Sequence, residues 1–332
     1  MATTSVEVTS WARYNVSRLS IAPSLAGAFH VFAFASKRVE VRLPEKPLRP
    51  RGSNDAWGND KISCTGWRAK SRRPLCYHIA SVDVLVGLKT RATIPSEALN
   101  RVDVGLFRSR QRQRLDELAT VGESVATQAL DWWIRTLRWK TLNFEIGQPE
   151  IIGRESGWTT YLQDTLTRRP FYGATQTFRV PADNAVSKRA WRATCHSLNR
   201  GITPPAWFDF LFEGEHRIAS GDRHGGVISL AIACETLFRA LFALHGKQPS
   251  SDEFVSLLNQ LPISRIVDRW KQLGFGTKTW QRAVDLKQIK RLFELRNRII
   301  HRATVNLDEA ECEHLRTVVR DFICFGAIRL NV

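Results

Sequence analysis

The chain has 332 residues, enough for two domains, and its 43% hydrophobic content is enough to build cores of ordinary size. Lys and Arg number 49 against 32 Asp and Glu, a formal charge of +17, which favours a polyanionic partner. Six cysteines without a CxxC pair exclude a disulfide framework, so a reducing compartment is the simpler setting. Cys64, Cys76 and His78 are too loosely spaced to argue for zinc, and no metal is expected.

No segment approaches the roughly 20 apolar residues of a membrane span. The nearest, 21–35, is interrupted by Pro23 and His30 and reads as a buried strand, not a signal peptide. The expectation is a soluble, cytoplasmic protein with no membrane partner. Residues 29–43 then alternate, with Val39, Val41 and Leu43 against Arg38, Glu40 and Arg42, which is a strand with one wet face. Prolines end it, and 49–74 is loop-like. Residues 77–93 predict one or two further strands, with Val82, Val84 and Val86 in alternation.

Helical spacing appears at 116–141, carried by Leu115, Leu118, Val121, Val125, Leu130, Trp133, Ile134 and Leu137. Trp132, Trp139, Arg135 and Arg138 fall around this helix. Such a cluster can stack on bases, but core packing is its commoner role. Just before the helix lie Arg108, Arg110, Arg112 and Arg114, the densest positive stretch of the chain and a candidate nucleic-acid contact. In an extended chain these four share one face; in a helix they scatter. Short strands are predicted at 144–152, 158–166 and 175–180. Residues 1–181 therefore read as a β-rich mixed α+β domain, for sensing or for presenting a substrate. It carries no phosphate-binding loop, GxSxG or HExxH.

From 182 to 332 the pattern is helical. A helix over 183–199 should end at Gly201, and Pro204-Pro205 should open the next. Residues 226–245 are apolar nearly all round, as expected of a central buried helix. Glu235 is the only charge between Gly225 and Phe238. Further helices are predicted at 251–259 and 264–273, then at 286–302, and finally after Asn306, with Glu309 completing a capping box.

The helix at 286–302 places Leu286, Ile289, Leu292, Phe293, Ile299 and Ile300 on one face at about 100° per residue. Arg296 falls near the centre of that face. A guanidinium keeps its charge, so it needs an anion there. Glu235, the other misplaced charge, is the expected partner. Asn297 and His301, four residues apart, stack on the flank. Arg298 falls on the polar side and adds to the positive surface.

The run Arg296-Asn297-Arg298-Ile299-Ile300-His301 resembles the Arg-x4-His motif of HEPN domains. A buried helix bearing an isolated Glu, linking helices, this motif and one terminal helix are together similar to the HEPN bundle, especially its Apea-like branch. The resemblance covers about the last third of the chain. It implies an α+β protein in which a β-rich domain precedes an all-α HEPN-like bundle. It also implies a metal-independent RNA endonuclease in which two bundles pack as a homodimer with their motifs face to face. A toxin or antiphage defence effector of the abortive-infection kind, released by a trigger or restrained by an antitoxin, is the usual setting.

The chemistry is simple enough to assign. Removing the proton of an RNA 2′-OH lets that oxygen attack the adjacent phosphorus, giving a 2′,3′-cyclic phosphate and a 5′-OH without cofactor or metal. His301 would transfer the proton, Arg296 would hold the phosphate through two hydrogen bonds, and Asn297 would orient the imidazole or an RNA oxygen. One imidazole does not easily serve as both base and acid, which is a physical reason for a paired site. The alternative is a non-catalytic bundle that dimerises and binds nucleic acid or nucleotide. A third reading uses the helical half for assembly alone.

Overall fold

The structure is a computed structural model. It describes residues 3–46, 57–58, 61–64, 76–99, 106–143, 146–147, 159–167, 170–173, 185–245, 267, 284–302 and 305–330. The fold is mixed α+β, in two compact units, Met1–Thr203 and Pro204–Val332. The division falls later than the 181/182 boundary expected from the fading strand signal. The segment after Pro181 still belongs to the sheet unit: it adds one short strand and one helix to it.

In the first unit the described strands are β1 (Thr3–Ile21), β2 (Phe29–Phe34), β3 (Lys37–Arg42), β4 (Trp57–Gly58), β5 (Ile62–Cys64), β6 (Tyr77–Pro95), β7 (Thr159–Asp164), β8 (Pro170–Gly173) and β9 (Ala185–Val186). They form one sheet whose main path runs β2-β3-β6-β1-β7-β8. All described pairings are antiparallel except β9, which lies parallel to the end of β1. The long strands β1 and β6, each 19 residues, are its spine. Their register runs from Thr3↔Pro95 to Ile21↔Tyr77 and is broken opposite Val8, where Lys89 adopts φ 51. The alternation expected over 29–43 is a hairpin. Ala35 (φ 46) and Ser36 (φ 60) make its tight turn, both in the left-handed region that side chains enter at a cost.

Cross-strand partners share a face of a sheet. Val6, Val8, Ala12, Tyr14 and Val16 of β1 and Val82, Val84 and Val86 of β6 are buried beneath helix α1 (Ser109–Thr141). The helix begins earlier than the apolar repeat suggests. Its close approach is set by Gly122, where a Cβ would lie 2.2 Å from Ser10 Cβ. Trp133, fully buried, and Trp132 are packed in this core, each aromatic contributing about 3 kcal/mol of burial. Trp139 is buried too, so the tryptophan cluster is core packing. Arg138 is 8% exposed and donates from Nε to the carbonyl of Ile146 at 2.5 Å.

Helix α2 (Lys188–Asn199) packs against β2. It starts after Ser187, whose side chain accepts from the Ala190 amide, and not at Asp183. It does end as expected at Gly201 (φ 65): Ile202 N–H reaches Ser197 O at 2.9 Å and Gly201 N–H reaches Leu198 O at 3.1 Å.

The second unit is helical throughout its described residues, with α3 (Ala206–Ala219), α4 (Arg223–His245), α5 (Leu286–Arg302) and α6 (Glu309–Arg329). Pro205 caps α3, in line with the expectation from Pro204-Pro205. Helix α4 packs on the other three. By length and composition its Arg223–Leu241 stretch is long and apolar enough to cross a membrane, which the sequence reading overlooked. Val227, Leu230, Ala231, Cys234, Leu237, Phe238 and Leu241 are buried within the bundle, which accounts for that composition here. Helix α6 is capped by Asp308, whose Oδ1 accepts from Glu311 N–H at 2.7 Å, two residues beyond the cap expected at Asn306. The helix expected at 251–259 and the strand at 175–180 lie outside the described residues; of 264–273 only Val267 is described, helical and buried, and of 144–152 only 146–147, which form a turn.

Candidate functional site

Helix α5 spans the residues that its apolar repeat marks out. Along one stripe Ile289 is 0% exposed and Phe293 2%, and the next positions of the same stripe are Arg296 and Ile300. There the cover stops: Arg296 is half-buried and Ile300 is 49% exposed. The stripe that anchors the helix thus runs on for two turns as an open surface. Asn297, Arg298 and His301 are exposed beside it.

Arg296 donates from Nη1 to Asn297 Oδ1 at 3.0 Å. The amide therefore holds the guanidinium, a role the sequence had directed toward the imidazole or RNA. His301 makes no hydrogen bond among the described residues, so both of its ring nitrogens remain available. Arg298 points its charge to solvent on the same helix end.

The expected pairing of Glu235 with Arg296 does not occur. Glu235 accepts from Arg239 at 2.5 Å, one turn along α4, and both side chains are about a third exposed (28% and 32%). An i,i+4 partner is already in reach when the helix forms, so the local pair wins over a distant one. Glu235 is not a buried charge and gives Arg296 no support.

The buried carboxylate of this unit is Glu215 of α3, 1% exposed, held by Arg320 of α6 at 2.6 Å and 3.0 Å. The sequence carried a signal for it: Leu211, Glu215 and Ile218 follow one helical stripe. Three further contacts fix the connection after α5. Arg223 donates to Leu307 O at 3.1 Å, His224 Nε2 to Val305 O at 2.7 Å, and Arg291 pairs with Glu311 at 2.5 Å. The first two hold the start of α4 against the segment that follows His301, and the third ties α5 to the start of α6. None was singled out from sequence.

Arg108, Arg110, Arg112 and Arg114 belong to the first unit. Arg108 precedes α1 and the other three lie in its first turns, so they scatter instead of sharing a face. Arg112 is partly engaged, donating to Phe107 O at 3.1 Å, while Arg108, Arg110 and Arg114 are exposed. Asp116 and Glu117 follow at once, so the positive stretch is not a continuous track. His78, once weighed as a zinc ligand, is hydrogen-bonded through Nδ1 to Ser20 at 2.7 Å. Among the described residues no group of three metal-ligating side chains is found. Cys234 and Cys324 sit in apolar surroundings that push their thiols up, Cys324 to about 11, so neither is poised as a nucleophile.

No family model, no curated protein and no solved structure matches this chain.

Proposed function

We propose that the helical unit is a metal-independent RNA endonuclease of the HEPN type that works as a homodimer. The observation that carries this reading is the open end of α5. Arg296, Asn297 and His301 stand together there beside an exposed isoleucine on a stripe that is buried elsewhere. A second copy of the same surface would cover Ile300 and bring a second imidazole to the phosphate. Two imidazoles supply the base and the acid that the cyclising cleavage needs. The Arg296 guanidinium, already oriented by Asn297, would stabilise the charged phosphorane. The net charge of +17 favours RNA as the polyanion.

The test is cleavage of RNA in EDTA. The wild-type protein is expected to give fragments ending in 2′,3′-cyclic phosphate and 5′-OH. His301→Ala and Arg296→Ala are expected to lose activity by about 100-fold or more, since proton transfer alone is worth roughly that factor. Light scattering should report a dimer. RNA binding without cleavage in the wild type would instead support a non-catalytic dimerisation and nucleic-acid-binding module, which the exposed apolar stripe also suits.

A further inference from the structure

The face of the sheet turned away from α1 carries a second candidate site, one that no motif announced. Register aligns Arg38 of β3, Gly87 of β6, Thr9 of β1 and Gln163 of β7 in one cross-strand row. Glu40 and Leu85 pair in the adjacent row. Because Gly87 has no side chain, the row dips, and a depression of about 210 Å³ opens over it.

Its floor is polar and buried. Thr9, Glu40 and Gln163 are 6%, 7% and 5% exposed. Thr9 is satisfied by Thr165 at 2.7 Å, and Glu40 is held by Arg42. Gln163 has no hydrogen-bond partner among the described residues, yet its side chain lines the depression. The amide opens onto the depression, so its donor and acceptor are presented to a group that enters from outside. The rim carries two exposed cations, Arg38 and Lys89, which make no ion pair or hydrogen bond among the described residues. The exposed carboxylate of Glu7 also lies on the rim.

We propose that this depression binds a nucleoside monophosphate, with the phosphate on Arg38 and Lys89 and the base edge on Gln163. An amide presents a donor and an acceptor side by side, as the edge of a nucleobase does. Beside these polar groups, Leu85 and the bare backbone at Gly87 leave an apolar patch against which the ring can lie. The free guanidinium and ammonium suit a phosphate, and the Glu7 carboxylate suits a ribose hydroxyl. The volume lies below the roughly 300–1,000 Å³ of larger ligand sites, which sets the upper size near one nucleotide.

The experiment is calorimetric titration of the full chain with AMP, GMP, CMP and UMP, and separately with inorganic phosphate and the free nucleosides. At least one monophosphate is expected to bind saturably. Phosphate alone and the matching nucleoside should each bind at least tenfold more weakly. Gly87→Val is the filling variant. A Cβ at Gly87 meets only Arg38 O at 3.7 Å and Arg38 Cβ at 3.9 Å, so the strand accepts it, and binding should be lost with the thermal midpoint unchanged. Gln163→Ala and Arg38→Ala should each weaken binding at least tenfold. The proposal is overturned if no monophosphate saturates, if phosphate alone binds as well, or if binding survives Gly87→Val. That last outcome would show that the nucleotide binds outside this depression. The readout is binding, so it stands or falls independently of RNA cleavage.

Discussion

In the first unit the imidazole of His30 is 2% exposed and both of its nitrogens are engaged; in the second, His301 is exposed and engages none among the described residues. The indole of Trp133 donates to His30 Nδ1 at 2.9 Å. Indole is a donor only, so Nδ1 carries no proton and Nε2–H donates to Trp191 O at 3.1 Å. The Trp191 ring stacks on the imidazole at 3.9 Å. Burial pushes the His30 pKa down to about 4. The same residue type is thus a fixed neutral junction in one unit and an open group in the other. The arginines divide in the same way: Arg320 is spent on buried Glu215, whereas among the described residues Arg296 is oriented by its neighbour Asn297 alone. A polar group saturated by the fold serves stability, and one left accessible at a helix end is free for chemistry.

That contrast can be broken at three points. The largest effect is expected at Arg320. Replacing it with Met removes the cation that faces the buried Glu215 carboxylate, and denaturant unfolding of the helical unit should lose about 3–5 kcal/mol. The double variant Arg320→Met, Glu215→Gln should recover much of this, because the uncompensated charge is gone. No recovery would mean that the pair is not what holds α3 to α6.

His30 comes next, through pH. Its folded pKa lies below the unfolded value of 6.5, so the fold favours the neutral ring. The unfolded chain then binds more protons in that window, and stability rises with pH there. The contribution is complete above pH 6.5 and is lost as pH falls through about 4, up to about 3 kcal/mol. His30→Gln should flatten this part of the stability–pH profile.

The smallest effect is steric. Gly122→Ala should destabilise the sheet unit by about 2 kcal/mol, because its Cβ would overlap Ser10. Ser10→Gly should relieve part of that loss in the double variant. Thermal unfolding measures both. Additive losses would show that the helix rides on the sheet elsewhere.

Legibility of the fold followed how directly a pattern mirrors burial. Helix α5 could be read because Ile289, Leu292 and Phe293 repeat cleanly and are buried. Strand β6 was readable for the same reason, whereas the hairpin of β2 and β3 read as one strand because its turn at Ala35 and Ser36 carries neither glycine nor proline. Strand β1, the sheet's spine, was missed because Ser10 and Ala12 interrupt its apolar alternation. Ser10 lies where α1 passes close at Gly122, a fact of packing and not of periodicity. In the candidate site, Arg296, Asn297 and His301 were legible from spacing alone. The partner assigned to Arg296 was not, since Glu235 had Arg239 within reach on its own helix.

By itself the sequence determined the α+β composition, the helical second half, the bounds of α5 and the residues its end presents. Periodicity and charge are local properties, and these features depend on little else. Only the tertiary structure decided which polar groups are satisfied and which stay open. It joined Glu215 to Arg320 across the bundle, closed both nitrogens of His30, and aligned Arg38, Gly87, Thr9 and Gln163 from four strands over one depression. Such pairings depend on which distant segments meet, and strand register and helix contacts fix that only once the chain is folded.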